Sequence, residues 1–199
     1  SSTPKWTLFP YTTLFRSKIK HFSWDKVVVD PVMIAKGGAS LLQQEAVSAL
    51  KDHLLPLCLV VTPNIPEAEV LTGMTIHSQN EKKEAARRIH ALGAKNIVIK
   101  GGHGMDTNES VDLLVNGADF EFFSVPRIET KNTHGTGCTF SAAITAQLAK
   151  GLTVYDAVSV AKEFIHAAIA NPLSIGQGHG PTNHWAFNRE KGRIATWQR

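Results

Sequence analysis

Apolar and polar residues are arranged in two different patterns along this chain. Three short runs rich in β-branched residues, at 26–30, 57–62 and 96–100, have no polar face, which is typical of strands buried on both sides. Between these runs, apolar residues recur every three or four positions, as they do on one face of a helix. The alternation predicts a largely parallel sheet with helices on both faces, an α/β fold.

Capping signals predict where the helices begin. In a helix cap, a side chain accepts a hydrogen bond from the backbone about three residues further on. Four pairs have this spacing: Ser40 with Gln43, Asn64 with Glu67, Ser78 with Glu81, and Thr153 with Asp156. Glycine and proline predict the matching ends, at Pro56, near Gly73, at Gly93 and at Asn171-Pro172.

A hairpin is predicted after the third strand. The runs 111–115 and 120–125 flank Asn116-Gly117, a dipeptide that favours a type I′ turn. The sheet should therefore gain an antiparallel edge.

The segment 130–138 reads T-K-N-T-H-G-T-G-C and precedes an Ala-rich run, 139–149, that is predicted to be helical. Gly135, Thr136 and Gly137 could turn several backbone N–H groups towards an anion such as phosphate at the positive end of that helix. The alternative is an ordinary structural turn. For Cys138 the alternatives are a thiolate stabilised by the helix dipole and a buried packing residue.

Polar residues also follow the predicted strands, at the edge where parallel sheets present ligand-binding groups. Asp30 is either such a group or a turn residue before Pro31. Asn64 and Glu67 are either a cap or a site in which Glu67 supports magnesium. Lys100 is either a phosphate ligand or a lysine in water at the end of a strand.

Composition narrows the class of protein. The chain has 199 residues, 43% of them apolar and 19% charged, and this is ordinary for one globular domain. Two cysteines, Cys58 and Cys138, form no disulfide framework, which favours the cytoplasm. No apolar run approaches the roughly 20 residues of a membrane span, so no membrane partner is expected.

The net charge of +4 does not indicate a nucleic-acid partner, because of where it lies. The first 20 residues carry +4 and the last 12 carry +3, so the residues between them sum to −3. Residues 7–17 also match the translation of a common sequencing adapter and show no helix or strand period. We therefore expect 1–17 to be a non-native segment, 18–187 the domain and 188–199 a basic tail.

Four motifs occur in order at the predicted strand ends and before the Ala-rich helix. They are D-P-V-M at 30–33, N-I-P-E at 64–67, I-K-G-G-H at 99–103, and the segment 130–138. Together they closely resemble the phosphomethylpyrimidine kinases of thiamine biosynthesis, in the ribokinase-like superfamily. The likeness covers about 24–187 and ends with G-H-G-P-T-N-H-W at 178–185.

The resemblance implies a three-layer α/β/α fold and ATP-dependent phosphorylation of 4-amino-5-hydroxymethyl-2-methylpyrimidine and then of its monophosphate. It also implies Mg²⁺ and is compatible with a homodimer. Cys138, which replaces the Asp usual in the superfamily, would contact the substrate and act in catalysis beside an anion hole formed by Gly135, Thr136 and Gly137. The remaining roles implied are Val32 for the pyrimidine, Glu67 for magnesium, and Asp30, Asn64, Lys100, Gly101 and Gly102 for the nucleotide.

Two alternatives stay open, a pyridoxal or pyridoxine kinase of the same superfamily and a catalytically silent nucleotide-binding fragment. Members of the family begin with a glycine-rich segment that resembles G-x-D-x-S-G-G-A-G, and this segment is not present in the chain. We therefore expect this chain to lack part of the acceptor site and to expose a sheet edge. His179 and His184 are not accompanied in the sequence by the further ligands of a metal site, and we assign them no role.

Overall fold

The computed structural model describes residues 9–33, 41–101, 108–173 and 180–192. The chain divides into two compact units. The first comprises Ser1–Met105 and Asp112–Phe122, and the second comprises Asp106–Val111 and Phe123–Arg199. The α-helices are α1 Phe9–His21, α2 Gln44–Ala49, α3 Ile65–Thr72, α4 Gln79–Ala91, α5 Thr136–Ala149, α6 Val154–Ala170 and α7 Ala186–Glu190, and a π-helical turn, Leu50–Leu54, continues α2. The strands are β1 Val28–Val29, β2 Val60–Val61, β3 Asn96–Ile99, β4 Glu109–Asn116 and β5 Asp119–Pro126.

The five strands form one sheet in the order β1-β2-β3-β4-β5. β1, β2 and β3 are parallel, and β4 is antiparallel to β3, with Ile97 opposite Val115. Val60 and Val61 are fully buried, as are Ile97 and Ile99, because the apolar runs have no face for water. The predicted α/β sheet with an antiparallel hairpin is confirmed, and β1 is its terminal strand.

Three of the four predicted caps are present. The Asn64, Ser78 and Thr153 side chains each accept a hydrogen bond from the backbone N–H three residues on. The fourth prediction is wrong, because α2 begins only after Gln43, whose side chain makes no capping bond, and Ser40 lies outside the described residues. Nor does Pro56 end that helix. Pro56 lies in a 3₁₀ turn, Leu55–Leu57, at one of its first two positions. A backbone N–H at such a position has no acceptor within the turn, so the missing N–H of proline removes no hydrogen bond.

The hairpin is confirmed but its turn type is not. Asn116 is the last residue of β4, so the loop is Gly117-Ala118. Gly117 has φ +62°, and no non-glycine residue in this turn has a positive φ. A type I′ turn needs two positive φ values, so the single glycine selects a different turn.

Both chain ends differ from expectation. Residues 9–21 form α1, although their sequence shows no helical period, and Leu14 and Phe15 on it are more than half exposed while Ile19 is buried. At the other end, α7 crosses the expected boundary at 187, and Lys191 pairs with Glu163 at 3.2 Å. The origin of residues 1–17 stays a prediction. Within the described ranges, no helix is long and apolar enough to cross a membrane.

We predict that Gly93→Ala destabilises the protein more than Gly73→Ala. Both glycines have positive φ, but a Cβ on Gly93 would lie 3.0 Å from Cα of Pro56, whereas one on Gly73 meets nothing within 4 Å. Backbone strain should cost about 1 kcal/mol at Gly73, and strain plus the clash about 2–3 kcal/mol at Gly93. Urea unfolding measures both losses. Equal losses would contradict the close packing of Gly93 on Pro56.

Candidate active site

In the first unit, Lys100 joins groups that follow three parallel strands. Its backbone continues β3 by a parallel bridge to Asn64, and its N–H donates to the Pro63 carbonyl at 2.8 Å. Its ammonium Nζ lies 2.8 Å from Oδ1 of Asp30 and donates to the Thr62 carbonyl. Nζ is also 3.9 Å from Oε2 of Glu67. One cation therefore holds the residues that follow β1, β2 and β3.

This cluster is largely removed from water. The exposed fraction of the side chain is 14% for Lys100, 16% for Asp30 and 3% for Glu67. The interpretation of Lys100 as a lysine in water is therefore wrong. Asp30 is more than a turn residue, because its carboxylate also accepts a hydrogen bond from the Thr62 hydroxyl at 3.3 Å.

Glu67 forms a reciprocal cap with Asn64. The Asn64 side-chain oxygen accepts from the Glu67 N–H, and Oε2 of Glu67 accepts from the Asn64 N–H, both at 2.8 Å. Burial raises the pKa of the Glu67 carboxyl, and the Asn64 N–H and Lys100 offset part of that rise. The cap is thus confirmed, and the assignment of Glu67 to magnesium stays a prediction.

The carboxylates of Glu67 and Asp30 fit a particular kind of magnesium site. Mg²⁺ commonly takes one or two protein carboxylates and completes its shell with phosphate oxygens and water. An enclosed metal site would need more ligands, and among the described residues no group of three His, Cys, Asp or Glu side chains could hold a metal. The residues present therefore fit a magnesium ion that arrives with nucleotide phosphates.

Asp112 is a residue that our sequence analysis missed. Its buried carboxylate accepts a hydrogen bond from the Gly101 N–H at 2.6 Å and so fixes the position of Gly101 directly after Lys100. A charged residue inside the apolar run 111–115 was the available signal. Of the other predicted residues, Val32 is 42% exposed and its contact with the pyrimidine stays a prediction, and Gly102 lies outside the described residues.

In the second unit, Gly135 is the N-cap directly before α5, with φ +80° and ψ 5°, a conformation that glycine adopts without strain. The Thr139 N–H donates to the Gly135 carbonyl at 2.9 Å, and the Thr136 hydroxyl donates to the Thr133 carbonyl at 2.9 Å. The first N–H groups of a helix point outward along its axis, and Thr136, Gly137 and Cys138 form the first turn of α5. We call the segment 132–138 the nest loop. Its geometry suits an anion.

The two cysteines lie in opposite environments. Cys138 is the third residue of α5 and is exposed, so its interpretation as a buried packing residue is wrong. Cys58 is completely buried, its thiol donates to the Leu55 carbonyl at 3.1 Å, and burial raises its pKa to about 12. Cys58 is the packing cysteine.

His184 has neighbours that its sequence context did not reveal. Its Nε2 lies 3.1 Å from the hydroxyl of Thr139 in the first turn of α5, and 3.1 Å from the hydroxyl of Thr182. His184 therefore has hydrogen-bonding partners at the start of α5, and the absence of a metal-binding role for it stays a prediction. His179 lies outside the described residues.

Comparisons with known proteins agree with one another. A sequence model described as phosphomethylpyrimidine kinase matches residues 11–183. The chain is 54% identical to the hydroxymethylpyrimidine/phosphomethylpyrimidine kinase of Bacillus subtilis over 86% of this chain and 64% of that protein. It is 57% identical to the Haemophilus influenzae enzyme of the same description, over 82% and 62%. The chain thus spans less than two thirds of these curated relatives.

Solved structures show the same similarity. An ADP complex of Bacillus subtilis pyridoxal kinase superposes with a TM-score of 0.84 at 42% identity, covering 94% of this chain and 70% of that one. A phosphomethylpyrimidine kinase from Clostridium difficile superposes with a TM-score of 0.68 at 37% identity, covering 85% and 66%. The ribokinase-like fold is thereby confirmed.

We predict that iodoacetamide modifies Cys138 and spares Cys58 in the folded protein at neutral pH. Only an accessible thiolate reacts, and Cys58 is buried with a pKa near 12. Peptide mass spectrometry should find one modified cysteine without urea and two with it. Modification of Cys58 in the folded protein would contradict the buried environment described above.

We also predict opposite pH effects for two glutamates at equivalent cap positions, Glu67 of α3 and Glu81 of α4. The folded-state pKa of Glu67 is raised by burial, whereas that of Glu81 is lowered, first by the His77 N–H and then by Ser78. Protonation therefore favours the folded state at Glu67 and opposes it at Glu81. As pH falls from about 7 towards 4, wild type should gain free energy of unfolding relative to Glu67→Gln and lose it relative to Glu81→Gln.

Urea titrations of the three proteins across that range measure these differences. Two differences that change in the same direction with pH would contradict the assigned environment of one of the carboxyls.

Proposed function

Since the chain belongs to the phosphomethylpyrimidine kinase family, we propose that its parent protein transfers the γ-phosphoryl group of ATP to hydroxymethylpyrimidine and then to hydroxymethylpyrimidine phosphate. The Bacillus subtilis and Haemophilus influenzae relatives carry this description at 54% and 57% identity. The observation that carries the proposal is the nest loop at the start of α5 with the exposed thiol of Cys138 beside it. The enzyme would act in the cytoplasm, in thiamine biosynthesis.

Phosphoryl transfer depends mainly on positioning and on neutralising charge, because the transferred group has a loose transition state. The N–H groups of Thr136, Gly137 and Cys138, together with the positive end of α5, supply fixed partial charges for that purpose. Gly135 is required at the entrance because it holds φ at +80°. These residues form the proposed anion hole.

Cys138 is the proposed proton acceptor. The substrate hydroxyl oxygen forms a bond to the γ-phosphorus as the bond to the ADP oxygen breaks, and the hydroxyl proton passes to Sγ. A thiolate in the first turn of a helix is stabilised by the helix dipole. Little deprotonation is needed before a loose transition state, so a modest base suffices.

The cluster around Lys100 is the proposed nucleotide side. Lys100 would neutralise phosphate charge, and Gly101, held by Asp112, would present its backbone to the nucleotide together with Gly102. Asp30 and Asn64 would position this side, and Glu67 would hold magnesium through its carboxylate. Bound magnesium would supply additional positive charge to the donor phosphates.

A pyridoxal kinase is the second candidate, and a specific observation favours it. The Bacillus subtilis pyridoxal kinase superposes with a TM-score of 0.84, and a Staphylococcus aureus pyridoxal kinase is known in complex with AMP-PCP and pyridoxal. A third candidate is a silent nucleotide-binding fragment, because the chain spans only 64% of the Bacillus subtilis relative. We also propose that the protein forms a homodimer; this proposal rests on the family resemblance and not on contacts in the structure.

An assay of ADP release by the 199-residue chain, with hydroxymethylpyrimidine or pyridoxal as acceptor, separates the three candidates. We expect the pyrimidine to be preferred wherever turnover occurs, with mass spectrometry identifying its phosphate. Preference for pyridoxal would support the second candidate. ATP binding by calorimetry without turnover would support the third.

We predict that Cys138→Ala lowers kcat about 100-fold and changes the KM for ATP less than about twofold, since a general base acts only in the transition state. Cys58→Ala is the matched control, because it removes the buried thiol and should leave kcat near the wild-type value. An unchanged kcat in Cys138→Ala would remove the base role.

A further inference from the structure

Residues 180–185, here called the strap, lie along the nest loop. His134 forms a parallel bridge with Pro181, and its N–H donates to the Gly180 carbonyl at 3.4 Å. The Gly180 N–H donates to Oδ1 of Asn132 at 3.0 Å. The strap thus contacts the loop at two positions before α5 begins.

A third contact reaches α5 itself. The hydroxyl oxygens of Thr139 and Thr182 lie 3.4 Å apart, and Nε2 of His184 is 3.1 Å from each of them. Thr182 is 6% exposed, so its hydroxyl is directed into the protein and not into water. The three atoms close a triangle directly after Cys138.

The strap is also anchored to α6. The Asn183 N–H donates to the Ala168 carbonyl at 3.1 Å, and its side-chain amide donates to the Asn171 carbonyl at 2.9 Å. Just beyond the strap, Phe187 packs on Phe164 with ring centroids 5.6 Å apart. The strap therefore connects the end of a long helix to the nest loop.

Where the strap meets the loop, a side chain at position 180 would collide with the side chain of Asn132. A Cβ on Gly180 would lie 2.2 Å from Oδ1 and 2.9 Å from Cγ of Asn132. Real contacts of this kind exceed 3.0 Å, so Asn132 or the strap would have to move. A side chain at 180 would therefore displace the Asn132 side chain, whose Oδ1 accepts the Gly180 N–H hydrogen bond.

A glycine-containing loop has high conformational entropy, and an anion site works best when its N–H groups are fixed before the ligand arrives. The nest loop contains two glycines within three residues. We propose that the strap fixes the nest loop, and that Thr182 and His184 are positioning residues which act through Thr139. The effect of the strap on catalysis rests on the proposed function, whereas the fixing of the nest loop does not.

Amide hydrogen exchange of the full chain, followed by NMR, tests this proposal. Thr182→Val removes one hydroxyl and keeps the shape of the side chain. If the strap holds as a unit, the His134 and Gly180 amides, whose own hydrogen bonds are untouched, should exchange about fivefold faster. The Ala161 amide in the middle of α6 reports any global loss of stability, so rates are expressed relative to it.

Two comparisons make the test specific. Thr182→Ser keeps the hydroxyl and should restore the wild-type rates. Thr145→Val removes a hydroxyl from the same helix, α5, where it donates to the Ser141 carbonyl one turn earlier. This change should leave His134 and Gly180 unchanged. Unchanged relative rates in Thr182→Val, or equal acceleration in Thr145→Val, would overturn the proposal.

A second pair tests His184. Gln can place a hydrogen-bonding nitrogen or oxygen near the position of Nε2, whereas Phe keeps only a ring against Phe164. His184→Gln should exchange like wild type and His184→Phe like Thr182→Val. In an active protein, kcat should fall in His184→Phe and recover in His184→Gln. If neither wild type nor any variant turns over, the chain behaves as the silent fragment of the third candidate, and the exchange rates alone test whether the strap fixes the nest loop.

Discussion

The position of the Lys100 ammonium is the constraint on which the first unit depends. It lies among two carboxylates, Asp30 and Glu67, and the Thr62 carbonyl, with little exposure to water. An ion removed from water loses several kcal/mol of hydration, which only close partners can offset. The strand ends must therefore stay where these partners are within reach. The side chains that hold this end of the sheet are also those proposed to meet the nucleotide.

This arrangement has a chemical consequence for Glu67. Its carboxyl caps α3, lies 3.9 Å from Lys100 and has a pKa raised by burial. A poorly hydrated carboxylate is stabilised by a nearby positive charge, which Lys100 supplies in part. The two cysteines also differ in environment, since Cys58 is inert in the core and Cys138 is exposed at the start of a helix.

Local chemistry made much of this structure predictable. Buried strands lack a polar face, and the caps at Asn64, Ser78 and Thr153 depend on residues three positions apart, so both can be read from short windows. Features set by distant partners could not be read in this way. Asp112 meets Gly101 eleven residues away, and His184 meets Thr139 forty-five residues away. α1 has no periodic pattern, so nothing local indicated a helix there.

The central claim is that Lys100 and Asp30 form one largely buried charge pair that holds the carboxyl end of the sheet. A double-mutant cycle on the free energy of unfolding, with Lys100→Met, Asp30→Asn and the combination, tests this claim most directly. Each single change should cost about 2–3 kcal/mol because it leaves a buried partner uncompensated. The combination should cost at least about 1 kcal/mol less than the two single losses added together. Strictly additive losses would contradict the claim.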